Sequence, residues 1–188
     1  MTTRRSAWRL AIAVTIAAAA APGCLVLGLD RFYDQARIEF DERLVGTWTD
    51  AEDNITVTIE RSEWRSYRIQ YAHPIEKGAL TGYLFREGAH WYLDLTPIRG
   101  QDFGSFVVPA HALARIAWRD QDLTVAPLSY DWFHRVVLAR KAPASLAATR
   151  GERDQVVLAA ARTALRAWLV ALPDGDPAIG AAATFRRQ

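Results

Sequence analysis

The middle of the chain alternates between apolar and polar positions with a period of two. The stretches "ITVTIE" (55–60) and "YRIQY" (67–71) each place their apolar residues on one side of an extended chain. This pattern is typical of strands with one buried face. Short polar links such as "REG" and "RDQD" favour antiparallel hairpins. Further strands are predicted at 78–87, 91–97, 105–111, 112–118, 123–128 and 155–159.

Two neighbouring predicted strands are rich in apolar residues, and the first of them, at 78–87, is apolar on both faces. Tyr83, Leu84 and Phe85 are consecutive apolar residues in the first of these strands. In the second, "WYLDLTP", Tyr92 and Asp94 share one face, and the residues that alternate with them share the other. One face of such strands lines a cavity or meets a helix.

The period changes after the last of these hairpins, which predicts helices near 129–141 and 162–172. Ser129 is the expected N-cap of the first helix, and Pro143 ends it. In the second helix, "TALRAWLVAL" repeats its apolar residues at the spacing of one helix face. No serine or threonine precedes this helix as a cap, so its start is expected to fray.

The first 24 residues have the composition of an export signal. "MTTRRSAWR" is positively charged, and "LAIAVTIAAAAA" is an apolar run of signal-peptide length. The run ends in "APGC", which resembles a bacterial lipobox, in which the cysteine is lipidated after signal cleavage. We therefore expect residues 1–24 to be a lipoprotein-type signal and Cys24 to carry the lipid.

Two alternatives to lipidation remain open. The uncharged run from Leu10 to Leu29 is also long enough to span a bilayer as an uncleaved anchor. Cys24 is then an ordinary small apolar residue inside that span. Each interpretation places the rest of the chain on the periplasmic side of a bacterial membrane, because positive charge stays in the cytoplasm. Residues 25–43 are predicted to be a charged tether and residues 44–188 a β-rich domain.

Composition and charge favour a globular protein that does not bind nucleic acid. Of the 188 residues, 51% are hydrophobic and 23% are charged. The formal net charge is +2, but three of the 23 basic residues precede residue 24. From residue 24 onward the balance is 20 minus 21, or −1. A single cysteine leaves no disulfide framework.

The start of the domain resembles a known family. "GTW" at 46–48, ahead of an antiparallel meander, is similar to the first-strand signature of lipocalins. That resemblance implies a barrel around an apolar cavity, with Trp48 closing one end. Gly46 is then required where other backbone or an aromatic ring approaches it closely.

A longer stretch, roughly Leu44 to Leu172, resembles an uncharacterised family of bacterial lipoprotein-like proteins. The segments that carry this resemblance occur in the same order as in that family: "LVGTW", "YLFREGAHWYLDLTP", "VPAHALARI", "LTVAPLSYDWF" and "VVLAAARTALRAWL". The resemblance implies a fold and a location at the cell envelope, but no activity. Together with the strand pattern, it predicts a mainly β fold: an antiparallel lipocalin-like barrel or sandwich with one or two packed helices.

Catalytic chemistry has one weak candidate. Of the four histidines, only His111 lies where a carboxylate could orient it, provided that its strand pairs beside Asp94. No nucleophile motif accompanies the pair, so a structural role is favoured and no enzyme activity is expected. The remaining histidines, His73, His90 and His134, lack metal-ligand spacing, so neither a metal nor another cofactor is expected.

Aromatic residues are the candidates for ligand binding. Most are expected to fill the core, but an apolar pocket would also use them. The proposed ligand-binding set consists of Trp64, Tyr83, Phe85, Trp91 and Trp118. The sequence thus predicts a membrane-tethered, non-enzymatic envelope protein that binds a small apolar molecule or lipid. The alternative is an envelope scaffold or interaction module without a cavity.

Overall fold

The computed structural model describes residues 25–98, 110–151 and 154–188. Its strands and helices are β1 (Val26–Gly28), β2 (Ile38–Glu39), β3 (Gly46–Asp50), β4 (Ile55–Arg61), β5 (Tyr67–His73), β6 (Glu76–Glu87), β7 (His90–Pro97), β8 (Ala112–Arg119), β9 (Asp122–Pro127), α1 (Tyr130–Leu138), β10 (Ala148–Arg150), β11 (Val156–Leu158), α2 (Arg162–Ala171) and β12 (Ala183–Arg187). The strands at 55–60 and 67–71 therefore form where the period-two pattern predicts them.

Eight of these strands close into an antiparallel barrel. They follow the order β6-β5-β4-β3-β12-β9-β8-β7, and β7 pairs with β6 along its whole length to close the ring. The short strand β2 adds to β6 beyond the point where β5 begins. The prediction of a mainly β, lipocalin-like barrel with packed helices is thus confirmed.

The barrel interior is filled by apolar side chains from alternate positions of each strand. Ile59, Ile69, Leu84, Leu93 and Ile116 are among its buried residues. Because the sheet closes on itself, the ring has no open edge strand.

A second layer covers the outer face of β6, β7 and β8. It consists of the small sheet β1-β11-β10 and both helices, which pack around a separate apolar cluster. Phe85 and Tyr92 enter this cluster from the barrel, and Phe133 and Leu165 enter it from the helices. Strands β6 and β7 are therefore apolar on both faces because both faces are buried.

Residues 25–43 belong to the folded domain, so the prediction of a tether is wrong. The buried rings of Phe32 and Tyr33 enter the outer cluster, and Ile38 lies in β2. The charged residues of the segment also bind the domain. Asp30 accepts a hydrogen bond from the backbone N–H of Arg162 (2.9 Å), and Asp34 pairs with Arg166 (3.4 Å).

The N-termini of the two helices are capped in different ways, α1 by a local side chain and α2 by a distant one. The Ser129 hydroxyl accepts a hydrogen bond from the backbone N–H of Trp132 (3.3 Å), as the sequence predicts for α1. At α2, Ala161 has no capping side chain, and Asp30 supplies the missing acceptor from far along the chain. Because a tertiary contact satisfies this end, the predicted fraying has no structural basis.

Part of the predicted secondary structure lies outside the described residues. The signal segment 1–24 and most of the strand predicted at 105–111 fall there. Among the described helices, none is both long and apolar enough to cross a membrane.

Candidate functional site: the barrel interior

Trp48 lies buried near the end of the barrel where β3 begins; we call this the Trp48 end. The side chain is 1% exposed, and its indole N–H donates a hydrogen bond to the carbonyl oxygen of Leu44 (2.9 Å). The guanidinium carbon of Arg187 lies 4.4 Å from the indole centroid, which is cation–π contact. Arg187 also donates hydrogen bonds to the carbonyl oxygens of Val45 (2.8 Å) and Arg43. Arg187 of β12 thereby binds the segment that leads into β3.

The same arginine explains the glycine two residues before Trp48. Gly46 has a φ of +148°, a conformation that L side chains rarely adopt. A Cβ atom at this position would lie 2.7 Å from Arg187 Nη1. Gly46 therefore permits the close approach of the Arg187 guanidinium, not of backbone or an aromatic ring as the sequence predicts.

The barrel encloses an apolar cavity of about 110 Å³. Its lining is almost entirely hydrocarbon and comes from the core strands: Val57, Ile59, Ile69, Leu80, Leu93, Leu95, Ala114, Ile116, Leu123, Val125 and Phe185. The lining also includes Leu25, together with Ala112 at the start of β8 and Pro127 at the end of β9. We call this end, opposite Trp48, the Leu25 end.

Tyr67 and Tyr71 are the two residues with a polar side-chain group that line the cavity. The Tyr67 hydroxyl donates to the carbonyl oxygen of Asp41 (3.1 Å) and accepts from the N–H of the same residue (2.7 Å). Its ring stacks on Phe40 with 4.8 Å between centroids. Burial raises the pKa of Tyr67 to about 12. Burial also raises the pKa of Tyr71, with Glu76 adding to the effect.

None of the five aromatic residues predicted to bind a ligand lines this cavity. Trp64 is 64% exposed in the β4–β5 turn. Tyr83 and Phe85 point outward and contact the Tyr33 ring at centroid distances of 4.8 and 6.4 Å. Trp91 and Trp118 lie against the interior cluster and contact each other at 5.5 Å, but the cavity does not reach them.

The sequence pattern indicates the strand faces that line the cavity, but it does not identify their residues as candidates for ligand binding. Val57 and Ile59 share the apolar face of one alternating strand, and Ile69 and Tyr71 share that of the next. These faces were predicted to be buried. Leu25 carried no such signal, because it was assigned to the tether.

His111 and Asp94 do lie together, as their strands allow. Asp94 pairs with Leu113 in the ladder, and His111 Nδ1 contacts Asp94 Oδ1 at 2.7 Å. The second carboxylate oxygen of Asp94 accepts a hydrogen bond from the backbone N–H of Phe32 (2.8 Å). Burial raises the pKa of the fully buried Asp94, and the hydrogen bonds from His111 and Phe32 oppose that rise.

This pair holds the N-terminal segment on the barrel. The backbone of His111 exchanges two hydrogen bonds with that of Gly28 (2.8 and 3.0 Å), so both residues of the pair bind the same segment. Within the described ranges, no hydroxyl or thiol group hydrogen bonds the His111 ring. The arrangement is that of a structural clamp.

A second buried acid supports the same layer. The carboxylate of Glu87, at the end of β6, is 4% exposed and accepts a hydrogen bond from Arg166 of α2. Arg37 approaches its other oxygen at 3.7 Å. Glu87 thus joins the barrel, the helix and the N-terminal segment. Its position in a hairpin link gave no sign of this burial.

Neither metal chemistry nor similarity to known proteins adds to this description. The described residues contain no group of three or more histidine, cysteine, aspartate or glutamate side chains placed to hold a metal ion. A scan of family models, a search of curated proteins and a search of solved structures each found no match to the chain.

Proposed function

We propose that the protein is a membrane-tethered, non-enzymatic protein of the bacterial cell envelope whose barrel binds a small apolar ligand or part of a lipid. One observation carries this proposal: an apolar cavity of about 110 Å³ inside a closed barrel. Burial in such a cavity removes a ligand's apolar surface from water without leaving protein polar groups unpaired.

The cavity volume limits the ligand. An engineered apolar cavity of about 150 Å³ in another protein stays dry and takes up benzene or xenon. At about 110 Å³, this interior accommodates a small apolar group or the end of a single acyl chain. A drug-sized molecule, which fills roughly 300–1,000 Å³, requires the barrel to open.

The position of Leu25 favours a ligand that comes from the membrane. Leu25 lines the cavity, and its carbonyl oxygen accepts a hydrogen bond from the N–H of Val156 (2.8 Å). Because Cys24 is the preceding residue, a lipid attached there would lie directly beside the Leu25 end of the barrel. Because a single peptide bond joins Cys24 to Leu25, this end of the barrel would face the bilayer.

The same packing favours lipidation over an uncleaved anchor. Residues Val26–Gly28 form a strand, so they are not part of a membrane-spanning helix. The apolar run that remains, from Leu10 to Cys24, is about 15 residues. A helix needs about 20 apolar residues to span a bilayer.

The runner-up function is an envelope scaffold without a ligand, and the small size of the cavity favours it. The two are separated by following the thermal unfolding of residues 25–188, which hold every described element, with fatty acids, isoprenoids and phospholipid fragments. A ligand present at a hundred times its dissociation constant stabilises the native state by about 2.7 kcal/mol.

Two variants test whether ligand-induced stabilisation arises from binding in the cavity. Ala114→Leu adds volume inside the barrel, so it should raise the melting temperature without ligand and abolish the ligand-induced shift. Ala117→Leu, on the exposed face of the same strand, should leave the shift unchanged. If no apolar compound shifts the wild-type transition, the interior is occupied by side chains alone and the scaffold function replaces this proposal.

A further inference from the structure

The β4–β5 connection is a tight turn with an unusual backbone. The N–H of Ser66 donates to the carbonyl oxygen of Glu63 (3.1 Å), which closes a four-residue β-turn. Its two central residues both have positive φ, +52° at Trp64 and +61° at Arg65. A hydrogen-bonded turn with two such residues has the backbone of type I′.

The residue types in this turn are not those that its backbone conformation favours. Type I′ turns strongly favour Asn-Gly, because a side chain with a Cβ atom is strained at positive φ. Trp64 and Arg65 occupy those two positions, and Trp64 is 64% exposed, so it gains little from burial. Residues that do not suit the local backbone conformation, and gain no packing in return, are expected at functional sites.

The turn adjoins a shallow depression with positive charge. Arg37, Arg65 and Arg86 line it, against the single glutamate Glu39. The backbone around it is fixed by β2 and by the glycine turn between β6 and β7. Its volume is about 530 Å³, so a peptide segment fits it better than an ion does.

The arginines of this depression are held but incompletely paired. Arg65 donates to the carbonyl oxygen of Ile38 (3.3 Å), and the Arg86 guanidinium lies 5.7 Å from the centroid of the Trp91 ring. Arg37 lies 3.7 Å from the carboxylate of Glu87, which already accepts a hydrogen bond from Arg166. Fixed guanidinium groups bind carboxylates with two hydrogen bonds at little further cost in conformational entropy.

The turn and the depression lie at the Trp48 end of the barrel. The β4–β5 turn, the β6–β7 turn and the start of β3 share this end, whereas the Leu25 end is formed by the start of β8 and the end of β9. If Cys24 anchors the Leu25 end, which is part of the proposed function, the turn points away from that membrane. This position favours another protein as the occupant.

We infer that the Trp64 turn, with the depression beside it, docks an acidic segment of a partner protein. The arginines pair with its carboxylates, and an apolar side chain of the partner covers the Trp64 ring. Tryptophan and arginine are the residue types that most often dominate binding energy at interfaces. The strained turn is then retained because it presents Trp64 outward.

One double variant separates this role from a structural one. Trp64→Asn with Arg65→Gly installs the sequence that a type I′ turn prefers, so the melting temperature should rise by a few degrees, about the gain expected from relieving two strained residues. The full-length protein is reconstituted in nanodiscs of zwitterionic lipid. Anisotropy then reports the binding of a short fluorescein-labelled peptide of glutamates and phenylalanines. The double variant should bind it at least about 10-fold more weakly than wild type.

The controls make the result specific. Arg186→Gln removes an exposed arginine from β12, distant from the turn, and should leave peptide affinity unchanged. A peptide with lysine in place of glutamate should not bind.

The inference is overturned if the acidic peptide does not bind wild type, or if the more stable double variant binds it equally well. Recruitment of the nanodiscs to phosphatidylglycerol vesicles through Trp64, without peptide binding, would identify a second membrane as the occupant instead. Because none of these outcomes depends on the interior cavity, the inference can fail while ligand binding holds, and the reverse.

Discussion

At the scale of single residues, Trp48 connects the first and last strands of the barrel. It contacts Arg187 through its ring face and Leu44 through its indole N–H. Truncation to alanine should leave a large cavity and lower the free energy of unfolding by about 3–5 kcal/mol. Chemical denaturation measures this change, and Trp64→Ala, which removes an exposed ring, is the matched control. If the two variants unfold at the same denaturant concentration, Trp48 does not close the barrel.

Tyr67 gives the barrel a pH dependence in the alkaline range. Its folded-state pKa is about 12, above the ordinary value of 10.0, because burial disfavours the phenolate. The stabilisation by the neutral hydroxyl is therefore complete below pH 10 and is lost as the pH rises toward 12. The free energy of unfolding should fall over this range, and it should fall less steeply in Tyr67→Phe. Equal slopes in the two proteins would contradict the role assigned to this hydroxyl.

The residue scale also explains why Tyr83 and Phe85, two of the aromatic residues predicted to bind a ligand, lie outside the cavity. A period of two shows that Tyr83 and Phe85 share one face and that Leu84 lies on the other, but not which face is inside. In the structure, the leucine enters the barrel and the two aromatic rings enter the outer layer. Because both faces are buried, hydrophobicity alone could not distinguish them.

At the scale of elements, the N-terminal segment is held by a clamp built on Asp94. Replacing Asp94 with asparagine should weaken the hydrogen bonds to Phe32 and His111 and cost about 1–3 kcal/mol. Hydrogen exchange should then accelerate at the Phe32 amide and across β1, before the barrel strands are affected. Asp122→Asn, at an exposed position on β9, is the control. Unchanged protection of residues 26–32 would show that the clamp does not hold this segment.

Elements with a regular pattern were predictable, and elements stabilised by distant contacts were not. Strands β4 and β5 follow a period of two and both helices a period of 3.6 over enough residues to be recognised, and β6 is recognised as a long apolar run that ends at a polar link. Strands β1, β2, β10 and β12 have two to five residues each, too few to show a period. Each is stabilised by its partner strand rather than by its own sequence. The cap of α2 is similar, since Asp30 lies 132 residues before Arg162.

At the scale of the whole molecule, Cys24 directly precedes Leu25, which lines one end of the barrel cavity. Cys24 lies outside the described residues, so its lipidation remains a prediction. Labelled palmitate should enter the wild-type protein in cells, and Cys24→Ala should abolish the labelling. Mass spectrometry of the purified protein should also find its N-terminus at Cys24. Persistent labelling of the variant, or an intact residue 1, would contradict the proposed anchor.

Native mass spectrometry of the protein purified from its own membranes shows directly whether the barrel holds a ligand. Wild type should carry an apolar molecule that is released by collisional activation, which distinguishes it from a lipid bound covalently to Cys24. Ala114→Leu, with its smaller cavity, should carry much less of it, and Ala117→Leu should carry as much as wild type. If wild type carries no releasable apolar molecule, or if Ala114→Leu retains it at the wild-type level, the barrel interior is not its binding site.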